Sequence, residues 1–176
     1  MHDQPRYKPL HPSDFFADGR SERPLVEDTV PRGFLHEDKA MYEGKTKDGK
    51  AVDAFPVEVT EQMMKRGQDR YNINCSPCHD HTGSGDGMVV RRGYRRPPSF
   101  HITRLRTAKV GYYFDVITHG FGVMPDYAAQ VTPEDRWAII AYIRALQYSQ
   151  YAPVADVPES EKPQLDENHE ETKAQK

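Results

Sequence analysis

What the chain lacks narrows it first. No run of eighteen apolar residues occurs among its 176 residues, so nothing reads as a transmembrane helix. Cysteine is nearly absent: Cys75 and Cys78 are the only two, and no third thiol competes with them. Neither sign of charge dominates. A formal net charge of −3 by itself implies neither a nucleic-acid nor a membrane-surface partner. Apolar residues make up 36% of the chain and the mean hydropathy is −0.85, less than a fully globular chain requires. The shortfall lies at the ends, which are polar and proline-rich, while the middle keeps apolar periodicity. No basic flank, apolar core and small-residue cleavage site opens the chain at Met1.

The two cysteines stand in Cys75-Ser76-Pro77-Cys78-His79, a C-x-x-C-H spacing. Two thiols three residues apart can each form a thioether to one vinyl group of the same haem, and the adjacent imidazole then reaches the iron. The motif therefore predicts one covalently bound haem c, held by Cys75 and Cys78, with His79 as an axial ligand. Two other readings compete. A redox dithiol wants a strand ahead of it in a βαβ unit, and a helical pattern precedes this one. A structural zinc wants four ligands, and only His79 and His81 stand near the cysteines. Haem is attached in this way outside the bacterial cytoplasm, so a removed leader, and with it any lipid-bearing cysteine, is expected ahead of Met1.

Around the motif the periodicity predicts an all-α domain. Thr60 and Glu61 open a helix over about 60–73, with Met63, Met64, Gly67 and Tyr71 at helical spacing. A short helix is expected over 109–119. Thr132-Pro133-Glu134-Asp135 is a strong helix start, and Ile139, Tyr142, Ile143 and Leu146 carry that helix to about Gln147. The domain thus spans about 58–150. Residues 1–57, with six prolines and scattered apolar clusters, read as an extended arm that docks on partner subunits, with one hairpin at Lys47-Asp48-Gly49-Lys50. Residues 151–176 read as an acidic, polar tail.

The loop Gly83-Ser84-Gly85-Asp86-Gly87 has no strand ahead of it and no Lys-Ser/Thr after it. Close approach to a flat cofactor therefore explains it better than a phosphate loop. From Met88 to Phe114 there is no acidic residue. Arg95 and Arg96 in this basic stretch are candidates for compensating the haem propionates or meeting an acidic partner face, and nucleic acid is a poor reading. A carbonyl at Pro97 or Pro98 is expected to accept from the far nitrogen of His79. For the sixth iron ligand Met124 is favoured, on a loop between two helices and followed by Pro125. His101 and His119 are the rivals. Thioether ligation raises the iron's potential and leaves a six-coordinate centre suited to electron transfer.

Helix, C-x-x-C-H, glycine loop, Pro97-Pro98, middle helix, Gly122-Val123-Met124-Pro125 and a Trp/Tyr-bearing last helix together resemble a class I cytochrome c. That resemblance implies electron transfer through an exposed haem edge, and a crossing of Gly67 and Tyr71 with Ile139 and Tyr142. Longer stretches carry a closer likeness: residues 1–10, Thr29-Val30-Pro31-Arg32-Gly33, residues 66–75, residues 112–120 and residues 135–147. These resemble the monohaem cytochrome c component of the bacterial alternative complex III. The resemblance implies a non-enzymatic electron-transfer subunit on the periplasmic side of the inner membrane. Its partners would be a multihaem cytochrome, an iron–sulfur subunit and integral membrane subunits, with an oxidase or soluble carrier as acceptor. The alternatives are a freely diffusing periplasmic cytochrome c and a haem enzyme or gas sensor with an open sixth site.

Overall fold

The computed structural model describes residues 4–162; of the acidic tail expected over 151–176, the part beyond 162 lies outside the described residues. The chain divides into two compact units between His36 and Glu37. Residues 4–36 hold no helix or strand. Hydrogen bonds close a loop there instead: Ser21 Oγ reaches the Lys8 and His11 carbonyls at 2.8 and 2.7 Å, and the Ser13 N–H donates to the Gly19 carbonyl at 3.0 Å. Arg23 pairs with Asp18 at 2.7 Å and lies 4.1 Å above the Phe16 ring. Leu10, Phe15, Leu25, Val26, Val30, Phe34 and Leu35 all face outward.

The second unit is helical: α1 (Lys39–Glu43), α2 (Glu61–Asn74), α3 (Ser76–His79), α4 (Thr103–Arg106), α5 (Val110–His119) and α6 (Pro133–Tyr151). Among the described residues there is no strand, only isolated bridges such as Lys45–Ala51, which closes the turn expected at Asp48-Gly49. No helix of the described residues is long and apolar enough to cross a membrane.

Capping chemistry sets the helix starts. The Thr60 hydroxyl accepts from the Met63 N–H, and the Thr132 hydroxyl from the Asp135 N–H, each satisfying a donor the first turn leaves open. α6 runs to Tyr151, four residues past the expected Gln147. It stops where Ala152, ahead of Pro153, is pushed into extended backbone. Trp137, Ile139, Ile140 and Ile143 are all buried on α6. Each such side chain contributes about 1.5–3 kcal/mol on leaving water. α6 therefore forms the centre of the core, with α5 contributing Tyr113, Phe114 and Ile117.

α2 crosses α6 at Gly67. A Cβ there would stand 2.6 Å from the Ala138 carbonyl carbon and 3.2 Å from Tyr142 Cβ, so Gly67 faces Ala138 and Tyr142 at the crossing. One turn on, fully buried Tyr71 packs edge-on to Tyr142 at 5.3 Å.

The boundary expected at 57/58 falls earlier. The Trp137 indole N–H donates to the Met41 carbonyl at 2.8 Å, Phe55 packs on the Trp137 ring at 5.9 Å, and Val52 is buried in the core. Residues 37–57 thus close one side of the helical unit. Their short, scattered apolar clusters conceal this in the sequence, because the contacts they make are with α5 and α6 and show no local period.

Candidate haem site

α2 delivers its last residues straight into the cysteine motif. The Cys75 N–H caps α2 by donating to the Tyr71 carbonyl at 2.8 Å, and the His79 N–H returns to the Cys75 carbonyl at 2.9 Å. This short turn presents Cys75, Cys78 and His79 together. Both cysteines are free and half-buried. Burial first, and then the neighbouring Cys78 thiol, push the Cys75 thiol up to about 12. Cys75 is thus a neutral thiol in the turn between α2 and α3, packed against the apolar core.

His79 completes the motif. Its ring stacks on Phe100 at 4.5 Å and 11°. Burial lowers its pKa to about 4, with Asp80 opposing, so the imidazole is neutral at physiological pH, the state that ligates a metal. Its Nδ1 is buried and makes no hydrogen bond. The brace expected from Pro97 or Pro98 is therefore not formed. The stack on Phe100 orients the ring, and the Pro97 carbonyl is instead pressed against Gly85. A neutral imidazole adjacent to two thiols in one short turn fits a covalently held haem iron.

The glycine loop serves the motif's own backbone. Gly85, Gly87 and Val89 donate their N–H groups to the carbonyls of His79, Cys78 and Pro77 at 3.0, 3.1 and 3.1 Å. A Cβ at Gly87 would lie 2.6 Å from the Cys78 carbonyl carbon. The loop thus makes a close approach to the peptide chain that carries the cysteines. Asp80 organises this loop from left-handed backbone, φ 57°. Its carboxylate accepts from the Thr82 N–H and Oγ at 2.6 Å each, from the Asp86 N–H at 2.9 Å, and from the Ser84 hydroxyl. Burial opposes its ionisation, but the Ser84 and Thr82 bonds outweigh that and hold the carboxyl well below the usual range. The Tyr71 hydroxyl donates to the Asp80 carbonyl at 2.8 Å, tying the loop to the helix crossing.

Of the candidate sixth ligands, His101 is buried, and its Nε2 lies 2.7 Å from the Thr82 carbonyl. His119 is 65% exposed at the end of α5 and pairs with Asp115 at 3.2 Å. Met124 sits half-buried in a tight turn whose Phe121 and Met124 backbones exchange two 3.0 Å hydrogen bonds. Three residues on, the Tyr127 pKa is raised, by burial first and then by the Cys78 and Cys75 thiols. The Tyr127 N–H donates to the Ile117 carbonyl at 2.9 Å and ties this segment to α5. Arg95 and Arg96 are exposed, and Arg96 reaches the Ser84 carbonyl at 3.3 Å. Part of the basic stretch is spent locally: Arg91 on Asp86 at 3.0 Å and Lys109 on Asp53 at 3.1 Å.

Sequence reasoning missed the polar residues of α6. Gln147 donates to the Phe100 carbonyl at 2.7 Å, Arg144 to the Arg106 carbonyl at 3.0 Å and also to the Ala108 carbonyl, and Arg136 to the segment after Met124. The available signal was three polar side chains on a helix apolar on more than one face.

A helical unit with C-x-x-C-H between its first long helix and a glycine loop, closed by a last helix across the first, is the class I cytochrome c fold. Residues 62–143 match the family model described as cytochrome c oxidase, cbb3-type, subunit III. Over that span the chain is similar to a cytochrome c domain, the domain of electron-transfer proteins with covalently bound haem c. No curated protein matches the sequence. Two solved structures are similar over parts of the chain. One belongs to a reducing HAO-like protein complex of Kuenenia stuttgartiensis, at 24% identity and a TM-score of 0.43, covering 55% of this chain and 50% of that one. The other is cytochrome cL of Methylophaga aminisulfidivorans, at 20% identity and a TM-score of 0.40, covering 68% of this chain and 97% of that one. The chain thus spans half the length of the Kuenenia protein.

Proposed function

We propose that this chain is a monohaem c-type cytochrome fixed within a quinol-oxidising respiratory membrane complex of the alternative complex III type, and that it passes electrons toward an oxidase or a soluble carrier. Cys75 and Cys78 hold the haem, and His79 and Met124 are its axial ligands. A haem so held supplies a one-electron couple, with a potential that a thioether ligand raises relative to two imidazoles. His79 does this work as a neutral base, kept so by burial, and Phe100 holds its plane. Arg95 and Arg96 stand exposed for the propionates or for an acidic partner face. The chain performs no bond chemistry of its own.

The observation that carries the complex reading is the first unit. Residues 4–36 spend their internal hydrogen bonds on closing a loop and turn seven large apolar side chains outward, Leu10 at 90% exposure and Phe15 at 79%. Single exposed apolar residues are ordinary, whereas a run of them along one segment is the composition of a surface meant to be covered. The covering surface is that of neighbouring subunits, a multihaem cytochrome, an iron–sulfur protein and membrane subunits, on the periplasmic side of the inner membrane. The test is native electrophoresis of membranes solubilised in mild detergent, stained for haem and probed for this chain. Comigration with a large multihaem band is expected. A haem band confined to the chain's own mass would refute the proposal and leave a freely diffusing carrier.

A further inference from the structure

Arg136 lies in the first turn of α6 at 5% exposure. A buried guanidinium is expensive unless every donor finds an acceptor, and helix packing alone would be served by leucine. Each of its hydrogen bonds goes to a neutral oxygen of one segment: Nε to the Val131 carbonyl, Nη1 to the Thr118 hydroxyl and Nη2 to the Ala128 carbonyl, all at 3.0 Å. The Phe114 ring lies 5.3 Å from it on the α5 side. Thr118 stands just before the loop that carries Met124, and Ala128 and Val131 stand just after it. The guanidinium therefore bridges both ends of that loop. The Tyr127 N–H, donating to the Ile117 carbonyl at 2.9 Å, closes the same neck. The fork is rigid and planar, so one side chain fixes three oxygens relative to one another, which a lysine cannot do.

We propose that Arg136 is a positioning residue for the sixth iron ligand: it holds the neck of the 119–127 loop shut and so keeps Met124 turned to the haem. This rests on the reading of Met124 as that ligand. Without the fork the neck is joined by backbone alone, and Met124 gives way more readily to an outside ligand.

The test is titration of the oxidised holoprotein with imidazole, followed in the haem absorption spectrum. Met124→Ala should bind imidazole far more tightly than the wild type. Arg136→Gln should raise the affinity about tenfold, equivalent to about 1.4 kcal/mol in the opening equilibrium. Arg136→Lys and Thr118→Val should raise it by less, and they decide the matter if Arg136→Gln does not fold. Arg66→Gln is the control. It breaks the 2.7 Å pair with Asp135 that ties α2 to α6 and touches none of the loop, so its imidazole affinity should stay within about twofold of wild type. If Arg136 variants bind as the wild type does while Met124→Ala binds tightly, the positioning role is wrong and the ligand reading stands. If Met124→Ala also binds as the wild type does, both fall. An equal rise in Arg66→Gln would mean general loosening, and would overturn the proposal.

Discussion

Gly67→Ala sets two effects of opposite sign against each other. In an isolated helix, alanine in place of glycine stabilises by about 1 kcal/mol. Here the new methyl would stand 2.6 Å from the Ala138 carbonyl carbon, with the carbonyl oxygen nearer still. Carbon pairs rest at about 3.5 Å, so α6 would have to retreat by roughly 0.9 Å. The obstacle is main chain in the interior of a nineteen-residue helix, and it cannot swing aside as a long side chain would. Overpacking of this kind costs about 1–3 kcal/mol, and a backbone obstacle belongs at the upper end. The overlap wins, with a net loss of about 2 kcal/mol. At roughly 2–4 °C per kcal/mol for a chain of this size, the midpoint should fall by about 4–8 °C. Thermal unfolding of the holoprotein, followed by far-UV circular dichroism, measures it. A midpoint equal to or above that of the wild type would show that α2 and α6 do not meet at Gly67.

Asp80 carries a pH signature. Its folded-state pKa is depressed, so its contribution is complete above the unfolded value of about 4 and fades as pH falls from there toward the folded value. Asp80→Asn should therefore be less stable at pH 7 by about 1 kcal/mol, after allowance for solvent screening, and the gap should narrow at pH 3. Urea unfolding at both pH values checks this, and a gap independent of pH contradicts it. Truncations test the boundary. Removing residues 1–36 should leave the haem spectrum and the melting temperature unchanged. Removing residues 1–57 also strips the Trp137 indole of the Met41 carbonyl and takes Val52 and Phe55 out of the core packing. That larger cut should cost on the order of 4 kcal/mol. Equal stability of the two truncated proteins would return residues 37–57 to the arm.

Much of the domain was legible in the chain. Local signals mark α2 and α6 at their starts, because Thr60 and Thr132 cap with side chains only a few residues from the donors they satisfy. Cys75, Cys78 and His79 were legible as a group because the C-x-x-C-H spacing puts them on one short turn. The end of α6 was misjudged by one turn, since the apolar period fades at Gln147 while the breaker, Pro153, lies further on. The brace for His79 was misplaced because a Pro-Pro pair restricts its own backbone and says nothing about what the freed carbonyl will meet.

By itself the sequence determined the haem motif, the helix order and the need for a close crossing at Gly67, all of which depend on residues within a few positions of one another. Only the tertiary structure decided where the helical unit begins, which backbone the glycine loop serves, and why α6 carries polar side chains. In each case the partner lies far away along the chain: Met41 for Trp137, Phe100 for Gln147, Thr118 for Arg136. A hydrogen bond at 3 Å depends on proximity in space, and no period in the sequence records it.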